Sequence, residues 1–159
     1  YTAKLAGTEK GLGAEPEATF SACFGDPFLP LSPVVYAEML LHRLKKYTPH
    51  VWLINTGWSG GSFGVGSRIK LPYSRAMVNA ALENQIDESN CHVEPIFGLR
   101  IPKSIYNVPS EMLEPINTWN TPDDYLRVAR NLILKMRQRM ERYASQLPVS
   151  IIKAGPGIQ

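Results

Sequence analysis

The residues whose types and spacing best suit chemistry lie between Gly57 and Ser74. Five of the ten residues from Gly57 to Gly66 are glycine. Within that run, Gly61-Ser62-Phe63-Gly64-Val65-Gly66-Ser67-Arg68 nearly spells the phosphate-cradling motif G-x-x-x-x-G-K-[ST]. Glycines let backbone N–H groups converge on an anion, or let a flat ring approach the chain closely. A working phosphate loop also needs a lysine on the β/γ-phosphates, a hydroxyl for Mg²⁺ and a helix that starts at once. Here Ser67 holds the lysine position, Arg68 holds the hydroxyl position, and the next helix signal comes about six residues late. Three readings stay open from spacing alone: a phosphate loop, a binding loop of another kind, and a wide surface turn.

Other reactive side chains carry less. His42, His50 and His92 have no metal-ligand spacing, and neither H-x-x-x-H nor H-E-x-x-H occurs. A metal site built from this chain is not expected. Cys23 and Cys91 have no neighbouring base in sequence to make a nucleophile of either. Glu15 and Glu17 sit in a proline-containing loop, where solvated carboxylates are ordinary. No catalytic residue is assigned. Arg127, Arg130, Lys135, Arg137, Arg139 and Arg142 spread around one polar helix side without interleaved aromatics, as a solvated face does.

The elements around the glycine run are legible from caps and periodicity. Residues 1–31 form a strand and loop segment, in which Phe20, Ala22 and Phe24 alternate with Thr19, Ser21 and Cys23 as in a strand. Residues 32–90 read as helix, strand, glycine loop, helix. Ser32-Pro33 is an N-cap with proline at the first helical position, and the helix carries Val35, Met39 and Leu41 or His42 at helical spacing, stopping near Pro49. The apolar run 50–56 reads as a buried strand. Pro72 opens the second helix, with Met77, Ala80, Ala81 and Leu82 turned inward. Residues 91–120 hold strand-like runs cut by Pro95, Pro102, Pro109 and Pro115. Thr121-Pro122-Asp123-Asp124 starts a C-terminal helix over 121–145, with a cap, a proline and two acids at the positive end of its dipole. Its inner face repeats Tyr125, Ala129, Leu132, Met136, Met140 and Tyr143. The tail 146–159 reads as irregular.

The whole chain sets the frame. Its 159 residues and 44% hydrophobic content suit about one domain with a packed core. A net charge of +3 supports a weak anion preference and falls short of a dedicated nucleic-acid binder. No segment approaches the roughly 18 apolar residues that cross a bilayer. The chain opens on Tyr1 without an initiator Met or a signal core, which predicts a soluble piece of a longer chain. Two cysteines without a C-x-x-C suit reduced thiols in a cytoplasmic protein. No nucleic acid or membrane partner is expected.

Three strings carry a resemblance: "YTAKLAGTEKGLGAEPEATFSACFGDPFLPLSPVVYAEML", "NTGWSGGSFGVGSRIKLPYSRAMVNAAL" and "VPSEMLEPINTW". They resemble the C-terminal part of ATP-dependent phosphoenolpyruvate carboxykinases, nearly end to end and more weakly after about Ser145. The resemblance implies a mixed α/β fold: the C-terminal part of that family's mononucleotide-binding domain, incomplete as a domain. It implies an enzyme turning oxaloacetate and ATP into phosphoenolpyruvate, CO₂ and ADP in gluconeogenesis, with Mg²⁺ and Mn²⁺. It places the family's phosphate loop, metal ligands and oxaloacetate-binding arginine upstream of this chain.

By the same resemblance the glycine run closes over the nucleotide from the other side, and Arg68, Ile69 and Ser74 contact ATP. A guanidinium can stack on a purine or bond a phosphate oxygen, an apolar residue can cover the ring, and a hydroxyl can donate to an anion or base edge. Many relatives have Lys where this chain has Ser67, and Thr where it has Ser74. The second exchange keeps the hydroxyl; the first removes a charge. The chain alone is expected to be inactive. Without its upstream half it should expose apolar faces at 50–56 or near Phe20–Phe28, or bury them in a homo-oligomer. The alternative is a stand-alone binding module with no enzyme parent.

Overall fold

In the computed structural model, residues 2–4, 17–19, 28–61 and 64–157 are described. They form helices joined by three short antiparallel sheets, a mixed α/β arrangement. The chain divides into two units, Tyr1–Val51 with Gln138–Lys153, and Trp52–Arg137 with Ala154–Gln159.

In the first unit, β1 (Thr2–Lys4) pairs antiparallel with β2 (Glu17–Thr19), Ala3 opposite Ala18. The expected strand is thus met at Ala18 and Thr19, while Phe20 to Phe24, Cys23 and Glu15 lie outside the described residues. Helix α1 (Pro33–Tyr47) starts as its sequence dictates: Ser32 accepts from the Val34 N–H at 3.4 Å, and proline fills the first turn. Thr48 closes it in the left-handed region (φ 43), donating its N–H to Leu44 O at 2.9 Å. The inward face meets the expected one at Leu41 and differs at its other positions. Val34 is buried and Ala37, Leu41 and Leu44 follow it half-buried, whereas Val35 and Met39 are exposed. The stripe is therefore set by the residue after the proline, one position earlier than the apolar spacing indicated. The tail is not wholly irregular: α5 (Val149–Lys153) forms one turn, because Pro148 O accepts from the N–H groups of Ile151 and Ile152. Gly155 and Pro156 then stop it.

The second unit holds the glycine run. No strand forms over 50–56 among the described residues, contrary to expectation. The run alternates in exposure as a strand would, but a strand exists only through a paired neighbour, and no described ladder reaches it. Leu53 is 80% exposed. In the first unit Val51, Leu31 and Phe28 are also exposed. Strands β3 (Trp58–Ser59) and β4 (Ser67–Arg68) pair antiparallel, so the glycine run is the loop of a hairpin. Helix α2 (Leu71–Leu82) follows, with proline in its first turn. Ser74 and Ala80 are buried and Met77 and Ala81 half-buried; Leu82 is exposed, because it falls past that face at the helix end.

Strands β5 (Cys91–Val93) and β6 (Arg100–Pro102) form a second hairpin, His92 opposite Ile101. Buried Glu94 holds its turn by accepting the N–H groups of Ile96 and Phe97 at 2.9 and 2.6 Å. The strand-like runs expected over 91–120 stop at Pro102: Pro109 precedes the short helix α3 (Ser110–Leu113) and Pro115 opens a 3₁₀ turn, Pro115–Thr118, because proline's fixed φ suits a helical first turn. Helix α4 (Pro122–Glu141) begins at a reciprocal cap. Thr121 Oγ1 accepts from the Asp124 N–H at 3.2 Å and donates to Asp124 Oδ2 at 2.8 Å. Its inner residues are Tyr125, Ala129 and Ile133, four apart, with Leu132 and Met136 half-buried beside them. Ile69, Val108, Ala80 and these three make the apolar core of the unit. Among the described residues no helix is long and apolar enough to cross a membrane.

Candidate functional site

The β3–β4 hairpin presents the candidate residues. Asn55 braces its base, accepting the Gly57 N–H at 2.9 Å and donating to Trp58 O at 3.0 Å. The Ile69 N–H donates to Gly57 O at 2.8 Å, continuing the ladder by one bond. The glycines serve this close folding. A Cβ at Gly66 would lie 2.6 Å from the carbonyl oxygens of both Ser59 and Gly61. Gly60 has φ 81, and a Cβ there would lie 2.7 Å from Thr118 O. Both positions need glycine for backbone against backbone, whatever else the loop touches.

The ladder then divides the three expected contacts. Arg68 stands opposite Trp58 at the end of β4 and is exposed. Among the described residues it makes no ion pair; the Glu83 carboxylate at the end of α2 accepts from Gln85 Nε2 at 2.6 Å. Ile69 points the other way, 9% exposed in the core. Ser74 is 6% exposed in the fourth position of α2, beyond the N-cap Lys70, and its N–H is bound to Lys70 O at 3.2 Å. The segment thus turns one cation outward and packs the two uncharged members inward. Lys70 and Arg75 are exposed on either side of this turn of helix, so the first turn of α2 carries positive charge.

Other polar groups were not legible as a set. His92 Nε2 and Glu114 Oε2 pair at 2.6 Å across the second hairpin and the end of α3. Tyr125 is pushed up to about 12, first by burial and then by the charges of Glu94 and Glu114. It packs edge-on to Trp119, with ring centroids 5.8 Å apart. Cys91 is a free thiol that donates to Asp87 O at 3.6 Å. The sequence did not point to the His92–Glu114 pair or to the charge of Glu94 beside Tyr125, since these partners meet only through non-local packing. His42 and His50 are exposed, in α1 and in the segment after it. Among the described residues no group of three or more His, Cys, Asp or Glu is placed to hold a metal ion.

Comparison with known proteins bears on the same segment. The family model described as phosphoenolpyruvate carboxykinase matches residues 1–111, which include the whole glycine hairpin and α2. A phosphoenolpyruvate carboxykinase (ATP) from Caldanaerobacter subterraneus subsp. tengcongensis is 49% identical over 156 residues, 98% of this chain and 30% of that protein. Phosphoenolpyruvate carboxykinase (ATP) 1 of Moorella thermoacetica is 48% identical over 155 residues, 98% of this chain and 29% of that protein. The protein of the same name, without the numeral, from Geobacillus thermodenitrificans is 50% identical over 155 residues, with 98% and 29% covered. The chain spans about 30% of the length of the curated relatives it matches.

Proposed function

The chain belongs to the phosphoenolpyruvate carboxykinase family, and from that premise we propose that it supplies one wall of an adenine-nucleotide site in an ATP-dependent member. In this reading it is the C-terminal part of the mononucleotide-binding domain. The parent enzyme, cytoplasmic, decarboxylates oxaloacetate and passes the γ-phosphoryl group of ATP to the enolate oxygen, releasing CO₂, phosphoenolpyruvate and ADP. Phosphoryl transfer of this kind rests on positioning and charge stabilisation. Arg68 contributes both, as a planar donor fork that bonds a phosphate oxygen or stacks on the purine. Ile69 and Ser74 are buried and leave the nucleotide little to touch, so in this reading Arg68 is the main contact of the three. The described residues do not fit the Mg²⁺ and Mn²⁺ that the resemblance implies, and none is assigned to them.

The observation that carries this reading is an exposed arginine, without an ion pair among the described residues, at the end of a two-residue ladder within the matched span. The test places this chain in a full-length relative in place of the matching segment. Arg68→Ala should weaken ATP binding by about 1–3 kcal/mol, roughly 5- to 150-fold, and leave oxaloacetate binding nearly unchanged. Arg68→Lys keeps the charge without the fork and should fall between. If both variants bind ATP like the parent by calorimetry, the assignment is wrong.

A further inference from the structure

The hairpin that presents Arg68 has too little structure of its own to hold it. Its ladder is two residues long on each side, and an isolated two-stranded ribbon is marginally stable in water. What fixes it lies 59 residues further along the chain. Ser59 Oγ donates to Thr118 Oγ1 at 2.9 Å, and Thr118 Oγ1 donates onward to Pro115 O at 2.7 Å. The relay therefore ends on the backbone of the 3₁₀ turn Pro115–Thr118, and every hydroxyl proton in it is used. Beside it the backbone of Gly60 approaches Thr118 O so closely that only glycine fits. Ser59 is paired with Ser67, the residue before Arg68, so a shift of Ser59 is passed directly to the strand that carries the guanidinium.

We propose that Thr118 is a positioning residue for Arg68, acting through Ser59 and the β3–β4 ladder; the proposal rests on the reading of Arg68 as a nucleotide contact. Thr118 needs no contact with nucleotide for this. Valine at 118 keeps the shape and removes the hydroxyl, so the hairpin loses its tie to the 3₁₀ turn while the core is unchanged. Serine keeps the hydroxyl.

The experiment is a double-mutant cycle on ATP affinity, by calorimetry, in the full-length relative carrying this chain. Thr118→Val should raise the Kd by about two- to tenfold, the worth of one or two neutral hydrogen bonds, and Thr118→Ser should restore it. In an Arg68→Ala background Thr118→Val should have no further effect. In the 159-residue chain without nucleotide, the amide NMR signals of Gly60, Ser67 and Arg68 should move in Thr118→Val and return in Thr118→Ser. Ser59→Ala, which removes only the first donor, gives the same readouts should Thr118→Val fail to fold. Full additivity of Thr118→Val with Arg68→Ala, or unmoved hairpin amides, overturns the positioning role. An Arg68→Ala that binds ATP normally overturns instead the nucleotide reading beneath it.

Discussion

Glu94 is the side chain on which the turn between β5 and β6 most depends. It is 4% exposed, and its two carboxylate oxygens accept separate backbone N–H groups, from Ile96 at 2.9 Å and Phe97 at 2.6 Å. Its own backbone closes the same turn, with N–H to Leu99 O at 2.8 Å and O from the Gly98 N–H at 3.0 Å. A hydrogen bond to a charged acceptor contributes about 1.5–3 kcal/mol net. Ile96 and Phe97 are half-buried, so water recovers part of the loss when both bonds go. Glu94→Ala should therefore cost about 3 kcal/mol, and Glu94→Gln, which keeps one acceptor but turns an amide toward the other N–H, about 1–2 kcal/mol. At about 2–4 °C per kcal/mol for a chain of this size, the alanine variant should melt about 6–12 °C lower by circular dichroism. A second readout is independent of melting. The Glu94 charge is the second cause, after burial, of the rise of Tyr125 to about 12. In Glu94→Gln the Tyr125 titration, followed by NMR of ¹³C-labelled tyrosine, should move down toward 10.0. Melting of Glu94→Ala within about a degree of the parent, with an unmoved Tyr125, would refute the placement of this carboxylate.

Ile133 is 1% exposed, so Ile133→Ala should cost about 2–5 kcal/mol in chemical denaturation, while Leu134→Ala, 47% exposed, should cost less than about 1. Asp124 is held below 3.8 by the Thr121 hydroxyl first and then Arg127, and Asp87 by the Ser89 hydroxyl and then the Ser89 backbone N–H. Their contribution is complete above 3.8 and lost as pH falls through the lowered values, so Asp87→Asn with Asp124→Asn should flatten the acid limb of a stability profile. Tyr125 has the opposite sign: its contribution is complete below 10.0 and fades as pH rises toward about 12, and Tyr125→Phe should remove that alkaline limb. The 159-residue chain with oxaloacetate, ATP, Mg²⁺ and Mn²⁺ should give no phosphoenolpyruvate above background in a coupled assay, and turnover surviving repurification would contradict this.

What the sequence made legible is what a few neighbouring residues decide. Ser32 with Pro33 and Thr121 with Asp124 cap their helices as read, because a cap needs only the first turn. The prolines of 91–120 were legible as interruptions, but Pro109 and Pro115 lead into helical turns where strand-like runs were expected. The residues 50–56 look like a strand and form none, since pairing is supplied from elsewhere in space. Spacing alone left the purpose of the glycines open, and at Gly60 the structure supplies one in the close carbonyl of Thr118. Of the candidate site, Arg68 faces outward, whereas the burial of Ile69 and Ser74 depends on how β4 and α2 pack on the core. Thr118 carries no signal in the sequence at all: its role exists only because the 3₁₀ turn meets the hairpin.

The most direct measurement asks where an adenine nucleotide touches this chain. An azido-adenine analogue of ATP would be photolysed on the full-length relative carrying these residues, and the labelled peptides mapped by mass spectrometry with and without excess ATP. The glycine hairpin as one wall of the site predicts ATP-protected label on the peptide spanning 57–74, lost in Arg68→Ala. ATP-protected label confined to peptides outside that span would contradict it.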